Sequence, residues 1–135
     1  MNRICIAGVP RAGKTYLAAV VGKRIALKPR STDDLIKTHA WSDASAEVAR
    51  WLDLSTYVIE GVAVGRALRK WMAANAGKPC DAVVWMPVPR DELTKGQAAM
   101  AKGCITVWTE ILPELVARGV LVLDANEMAK TVRAA

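Results

Sequence analysis

The chain has 135 residues, of which 53% are hydrophobic and 24% are charged, and it carries a formal net charge of +6 at pH 7. That length fits one domain with a core of its own and excludes a second, so we expect a single domain over residues 1–135. No apolar run approaches the roughly 20 residues that cross a bilayer, so no membrane span is predicted. The positive charge favours anionic ligands without separating a nucleotide from a nucleic acid.

The cysteine and histidine counts narrow the function classes further. The three cysteines, Cys5, Cys80 and Cys104, are odd in number and widely spaced. Such a set is typical of reduced thiols in a cytoplasm rather than of disulfides, and we expect a cytoplasmic protein. The first predicted strand begins at Arg3, so no leader peptide is expected. A single histidine, His39, argues against a histidine-based metal or hydrolytic site.

A glycine-rich segment near the N-terminus carries the most specific motif. Residues 8–15 read Gly, four free positions, Gly, Lys, Thr, which is the phosphate-binding loop of nucleoside-triphosphate-binding proteins (Walker A). An apolar strand over residues 3–7 precedes the loop and a helix over residues 16–24 follows it, as the motif requires. The predicted nucleotide-binding residues here are Gly8, Val9, Pro10, Arg11, Ala12, Gly13, Lys14, Thr15 and Tyr16.

The chemistry of this loop assigns roles to its polar residues. Successive backbone N–H groups form a nest for phosphate oxygens, and the positive end of the following helix adds to the attraction. Lys14 supplies a charge to the outer phosphates, and the hydroxyl of Thr15 is placed to bind Mg²⁺. Arg11 is a candidate for stabilising charge on the transferred group. We therefore expect ATP and Mg²⁺ as ligands.

Beyond the loop, strands and helices alternate. A short strand is predicted over residues 25–27, and a short helix capped by Ser31 or Thr32 then runs towards His39. Asp43 is expected to cap a helix over residues 44–54. The remaining predicted elements are a strand over 57–61, a helix over 64–75, a strand over 82–86, a helix from 104 to 118 that Pro113 kinks or restarts, a strand over 120–123 and a final helix through Val132.

Two acidic positions are candidates for chemistry. Asp33 lies in the first turn of the short helix, where it is equally well explained as a residue that interacts with the helix dipole. Glu60 ends the third predicted strand, and ligands of open parallel sheets lie outside the carboxyl ends of the strands. Glu60 is therefore expected to face the phosphates and hold Mg²⁺, the alternative being an acid that faces solvent. Asp33 is a further candidate metal ligand.

The polar stretch over residues 90–103 is predicted to be a lid. Its candidate phosphate contacts are Arg90, Lys95 and Lys102, of which Arg90 is also a candidate catalytic residue. A plain exposed helix is the alternative.

In its order of elements, its phosphate loop and its acids, the sequence resembles the small P-loop kinases. These include nucleoside and nucleotide kinases, shikimate- and gluconate-type kinases and polynucleotide kinases. The resemblance implies an α/β fold of three layers (α/β/α) with a five-stranded parallel sheet in the order 2-3-1-4-5. It also implies that Asp33 deprotonates the acceptor hydroxyl, and that Asp124, Ala125 and Asn126 pack against the adenine ring. More loosely, the chain resembles small P-loop proteins encoded by phages.

The predicted function is transfer of the γ-phosphate of ATP to a small acceptor, with a nucleoside or nucleotide as the leading candidate. The Asn/Thr-Lys-x-Asp motif of GTPases is absent, which favours ATP. One alternative is a polynucleotide 5′-hydroxyl kinase, so a nucleic acid remains a candidate partner. The other is an ATPase or nucleotide-binding switch that acts on a protein partner. An exposed apolar patch, with Trp71, Trp85 and Trp108 as candidates, would mark the switch, although core packing is the favoured role of these residues.

Overall fold

In the computed structural model, which describes residues 1–127, five parallel strands form one sheet in the order β2-β3-β1-β4-β5. The strands are β1 (Arg3–Gly8), β2 (Arg30–Ser31), β3 (Tyr57–Glu60), β4 (Ala82–Met86) and β5 (Leu121–Asp124). The helices are α1 (Lys14–Ile25), α2 (Asp33–Ile36), α3 (Trp41–Trp51), α4 (Val64–Ala74) and α5 (Lys95–Ala117). The predicted fold class and strand order are confirmed. The final helix expected through Val132 lies largely outside the described residues.

The side chains of the central strand β1 alternate between two helical layers, because successive residues of a strand point to opposite faces. Ile6 packs with Ala18 of α1, whereas Cys5 and Ala7 belong to a larger cluster with residues of α3, α4 and α5. The sheet is therefore covered on both faces, as parallel sheets generally are. Because all the strands are parallel, the ends of β1, β3 and β4 meet at one edge of the sheet.

Two tryptophans fix α5 against the sheet. The rings of Trp85 in β4 and Trp108 in α5 stack with centroids 4.8 Å apart and planes 4° from parallel. Both side chains are buried, so the favoured expectation of core packing is confirmed for them. Trp71 is partly buried, and its indole N–H donates to the carboxylate of Asp53 at 2.9 Å. The stack determines where α5 runs relative to the phosphate loop.

The predicted second strand over residues 25–27 is wrong. Ile25 is the last residue of α1, and Ala26 follows in the left-handed conformation with φ 57°, donating its N–H to the carbonyl of Gly22. The apolar residues at 25 and 27 thus belong to a helix end that packs beneath the sheet. The true strand, β2, is a two-residue edge strand that pairs with β3.

Two helix starts also differ from expectation. Asp43 lies within the first turn of α3, and Ala40 is the N-cap residue, with an extended backbone at ψ 153°. The N-terminus of α5 is instead fixed by a capping box. The amide of Gln97 donates to the hydroxyl of Thr94 at 3.2 Å, and the side-chain oxygen of Gln97 accepts from the amide of Thr94 at 3.0 Å.

The helix expected to begin at residue 104 begins at Lys95 instead, and it continues through Gly103. A Cβ at Gly103 would lie 2.7 Å from Nη2 of Arg66, so the glycine makes room for a neighbouring side chain while the helix continues. Pro113 is also contained in α5. In the part of the chain that the structure describes, no helix is both long and apolar enough to cross a membrane.

Candidate functional site

The phosphate loop connects β1 to α1 and is held close to the end of β4. The amide of Val9 donates to the carbonyl of Met86 at 3.2 Å. A Cβ at Gly8 would lie 2.5 Å from that same carbonyl oxygen, so only glycine allows this approach. At the other end of the loop, Gly13 has φ 93° and precedes the first residue of α1. Its left-handed conformation is one that glycine adopts without steric cost.

Lys14 is the most buried cation of the site, with only 6% of its surface exposed. Its Nζ donates to the carbonyl oxygen of Val9 within the loop at 2.5 Å. Burial lowers the pKa of the Lys14 ammonium, and the carboxylates of Asp33 and Glu60 oppose that shift. A phosphate would offer this ammonium a second, anionic acceptor in surroundings that contain little water.

Glu60 stands at the carboxyl end of β3 and faces the loop, as its position in the sequence predicts. The hydroxyl of Thr15 donates to Oε1 of Glu60 at 3.2 Å, and Glu60 is 1% exposed. Burial raises the pKa of the Glu60 carboxyl; the nearby Ser31 hydroxyl opposes the shift, and the charge of Asp33 adds to it.

Two carboxylate oxygens at the same cavity lack partners. Oε2 of Glu60 and Oδ1 of Asp33 are buried, and neither has a hydrogen-bond partner among residues 1–127. With the hydroxyl of Thr15 they form a set of hard oxygen donors that fits Mg²⁺, which proteins usually bind through one or two carboxylates plus substrate phosphates. The described residues contain no cluster of three or more acidic, histidine or cysteine side chains that could bind a metal unaided.

A cavity of about 360 Å³ lies over the loop. Its lining is mainly charged and comprises Arg11, Ala12, Gly13, Lys14, Thr15, Asp33, Glu60, Arg90 and Asp91. The segment after β4 is tied to the loop, because the amide of Arg90 donates to the carbonyl of Arg11 at 2.8 Å and Nη1 of Arg11 donates to the carbonyl of Glu92 at 3.2 Å. The side chain of Arg90 also lies against the position that a Cβ of Gly13 would occupy.

A second cavity, of about 330 Å³, adjoins the first. Both are lined by Arg11, Lys14 and Asp33, and the second adds Pro10, Ile36, Lys37, Val62, Gln97 and Met100. Of these six residues only Pro10 was predicted to belong to a site, as part of the nucleotide-binding loop. Two sequence signals were available: Lys37 lies one helical turn after Asp33, and the Thr94-x-x-Gln97 capping box places Gln97 in the first turn of α5.

Other predicted site residues lie apart from these cavities. Asp124, Ala125 and Asn126 are not among the described residues that line either one, and the carboxylate of Asp124 accepts from the amides of Asn126 and Glu127. Lys95 and Lys102 are exposed on α5. Tyr16 is 71% exposed and lines a separate, mainly apolar cavity of about 600 Å³ along α1.

Solved structures include two shikimate kinases that are similar to this chain. The enzyme from Aquifex aeolicus vf5 has a TM-score of 0.53 and 14% identity over 80% of this chain and 81% of that one. The enzyme from Bacteroides thetaiotaomicron has a TM-score of 0.47 and 13% identity over 92% of this chain and 86% of that one. Nothing is concluded from this second match, because its TM-score is below 0.5. No family model and no curated protein sequence matches the chain. With its sheet order, the first comparison shows that the chain has the P-loop kinase fold.

The match to the Aquifex aeolicus enzyme lends no support to the looser resemblance to phage-encoded proteins. At this level of identity the likeness concerns the fold alone.

Proposed function

We propose that this chain is an ATP-dependent kinase that transfers the γ-phosphoryl group of ATP to a hydroxyl group of a small acceptor. The main support for this proposal is that two adjoining cavities share Arg11, Lys14 and Asp33 in their linings. The first cavity lies over the phosphate loop. The second is lined in part by residues of α2, of the loop before α4 and of α5. Phosphoryl transfer needs a donor and an acceptor in line on either side of the transferred group, which such a pair provides.

In this proposal the phosphate cavity gathers the negative charge of ATP. The loop amides and Lys14 hold the phosphates, while Arg11 and Arg90 stabilise the charge that spreads over the transferred group. Thr15 and Glu60, with Asp33 beside them, would hold Mg²⁺. When bound, the metal ion neutralises phosphate charge and helps to orient the leaving group.

Asp33 is the proposed base. Its unpartnered Oδ1 and its position on the wall shared by the two cavities support this role over that of a residue acting only on the helix dipole. As the acceptor oxygen forms a bond to the γ-phosphorus, the bond to the β-phosphate oxygen breaks and ADP leaves. The proton of the acceptor hydroxyl passes to the carboxylate of Asp33.

The size of the second cavity supports a small molecule as the acceptor. Its volume is close to the lower end of the range of about 300–1,000 Å³ for ligand pockets. Its walls combine the apolar side chains of Ile36, Val62 and Met100 with the polar groups of Lys37 and Gln97. This mixture suits a ring with hydroxyl groups and one anionic group, and a nucleoside or nucleotide remains the leading candidate.

A nucleotide-dependent switch that acts on a protein partner is the second candidate. The burial of Trp85 and Trp108 removes two of the three residues expected in its apolar patch. However, Tyr16 and Val20 are exposed along the mainly apolar cavity on α1, and such a surface suits a protein contact.

The test is ATP turnover with Mg²⁺, measured without and with a panel of nucleosides, nucleotides, hydroxy acids, sugars and 5′-hydroxyl oligonucleotides. Asp33→Asn is compared with Asp34→Asn, which changes an exposed carboxylate on the same helix. We expect one acceptor to gain phosphate. We also expect Asp33→Asn to lower turnover by about 10²–10⁴-fold, the usual contribution of a general base, while Asp34→Asn keeps it.

Unchanged ATP affinity in Asp33→Asn would separate loss of the base from loss of nucleotide binding. If no acceptor changes a slow basal rate, the kinase proposal fails over that panel and the switch becomes the better explanation.

A further inference from the structure

A third polar cavity, of about 260 Å³, lies between α3 and α4, away from the phosphate loop. It shares no lining residue with the two cavities of the candidate kinase site. Three cations from α4 and three residues from α3 form its lining: Arg66, Arg69, Lys70, Trp41, Ser42 and Ser45. No carboxylate lines it. We call it the α3–α4 pocket.

Arg66 is held in this pocket without an anionic partner. Its guanidinium carbon lies over the Trp41 ring, 4.6 Å from the ring centroid, which is within the range of a cation–π interaction. Nη1 of Arg66 is buried and has no hydrogen-bond partner within residues 1–127, and Arg66 makes no salt bridge there. Arg66 as a whole is partly buried, but a buried N–H donor without a partner costs free energy, so a bound anion that accepts from Nη1 would offset part of that cost.

Gly103 of α5 makes this placement of Arg66 sterically possible. A Cβ at residue 103 would lie 2.7 Å from Nη2 of Arg66, whereas glycine leaves that space open. A glycine in the middle of a helix lowers helix stability, and the space that the Arg66 guanidinium occupies explains why a glycine stands here.

The other cations lie on the same face of α4, because Arg69 and Lys70 follow Arg66 by three and four residues. Arg69 is paired with Glu110 at 2.9 Å. Lys70 forms no salt bridge within the described part of the chain, and its Nζ donates to Oγ of Ser42 at 3.5 Å. The pocket is therefore lined by two cations without carboxylate partners among the described residues, Arg66 and Lys70, and the second lies within hydrogen-bond distance of a serine hydroxyl.

We propose that the α3–α4 pocket binds a phosphate group, independently of the nucleotide site. A phosphate has several charged oxygens and can accept from a guanidinium edge, an ammonium and a hydroxyl together. The first turn of α3 adds amide groups that no side chain caps, at the positive end of the helix dipole. The phosphate belongs either to a small phosphomonoester or to the backbone of a nucleic-acid strand.

Backbone amide NMR of the wild-type chain, titrated with inorganic phosphate, tests the site residue by residue. We expect saturable shifts at Ser42, Ser45 and Lys70, separate from any shifts in the phosphate loop. Lys70→Ala should weaken this binding by about 3–10-fold and Arg66→Gln by at least about 10-fold, because the ammonium of Lys70 is exposed to solvent whereas Nη1 of Arg66 is buried. Lys78→Ala, which removes an exposed lysine outside the lining of this pocket, should leave it unchanged.

Two further probes identify the source of the phosphate. Glycerol 3-phosphate represents a monoester, and a short single-stranded oligonucleotide without terminal phosphates represents a backbone. Tight oligonucleotide binding that weakens steeply with salt would assign the pocket to a nucleic acid. Preference for glycerol 3-phosphate would assign it to a small molecule.

The proposal is overturned if phosphate shifts only residues of the loop, or if shifts in α3 and α4 rise without saturation. It is also overturned if Lys70→Ala and Lys78→Ala behave alike. Should Arg66→Gln fail to fold, Lys70→Ala decides the question alone, because that side chain is exposed. Loop shifts report on the nucleotide site separately, so this proposal and the kinase proposal can fail independently.

Discussion

The hydroxyl of Thr15 donates to Oε1 of Glu60 at 3.2 Å and so joins the first turn of α1 to the end of β3. The other oxygen of the same carboxylate, Oε2, is buried without a partner among the described residues. One carboxylate is therefore positioned by the hydroxyl while retaining a free acceptor. This arrangement is unfavourable in the unliganded chain and suits a cation at the phosphate site.

We first predict that Glu60→Gln flattens the dependence of stability on pH. Burial raises the pKa of Glu60 in the folded chain. Between the ordinary value and the raised one, the folded chain binds more protons than the unfolded chain, so the free energy of unfolding falls as pH rises through that window. Glu60→Gln has no ionisable group at this position, so its free energy of unfolding should not fall for this reason as pH rises. Urea unfolding midpoints measured from pH 4 to pH 8 test it, with the exposed Glu92→Gln as the control.

If Glu60→Gln and the wild-type chain lose stability in parallel over that range, Glu60 is not the group responsible. A steeper fall in the variant would contradict the assigned direction of the pKa shift.

We next predict that Lys14→Ala lowers ATP affinity by about 10–100-fold, because a charge-assisted hydrogen bond is worth roughly 1.5–3 kcal/mol. The change removes a buried ammonium whose partner in the unliganded chain is the carbonyl of Val9. Calorimetric titration with a non-hydrolysable ATP analogue and Mg²⁺ measures the loss. Lys23→Ala removes an exposed lysine of α1 and should bind like the wild type, and equal affinities of all three chains would argue against a nucleotide at this loop.

The phosphate loop could be predicted because all its determinants are contiguous in the sequence. The sheet order was confirmed for a related reason, since strongly apolar strands alternate with helices along the chain. β2 was misplaced because its two residues, Arg30 and Ser31, form a polar edge strand, and the nearby apolar run over residues 25–27 belongs to the end of α1 and the turn that follows.

The second cavity could not be predicted in this way. Its apolar walls, Ile36, Val62 and Met100, come from segments far apart in the sequence. Their approach depends on how α5 packs, which the stack of Trp85 on Trp108 helps to determine. No local pattern encodes that packing. The position of Glu60 was partly predictable. The sequence shows that Glu60 ends a strand, but its hydrogen bond with Thr15 can be seen only in the folded structure.

A third prediction concerns Met100, whose side chain lines the second cavity and is partly buried. We expect Met100→Trp to fill part of that cavity and raise the KM of the acceptor at least about 10-fold, since crowding a packed site typically costs 1–3 kcal/mol. The KM of ATP should not change. Met100→Leu conserves the volume and serves as the control. Steady-state kinetics with the acceptor identified in the panel test this prediction. A rise in the KM of both acceptor and ATP would show instead that the substitution distorts the whole site.

The last prediction concerns Gly61, which follows Glu60 and has φ 141°. A Cβ there would lie 1.8 Å from Oγ1 and 2.8 Å from Cβ of Thr32. Rotating the Thr32 hydroxyl away would therefore not remove the steric clash. That hydroxyl also accepts from the amide of Ala63 at 3.3 Å, at the N-cap of α4. Displacing Thr32 would thus disturb the start of α2, the start of α4 and the end of β3 together.

We expect Gly61→Ala to lower the free energy of unfolding by about 3 kcal/mol or more, combining backbone strain with overpacking. Gly77→Ala is the matched control, because Gly77 also has a left-handed φ of 86° but a Cβ there would meet nothing within 4 Å. It should cost about 1 kcal/mol from the backbone alone. Urea unfolding measures both variants. Equal losses would mean that Gly61 is needed only for its backbone angle, and that close packing against Thr32 adds nothing to the cost.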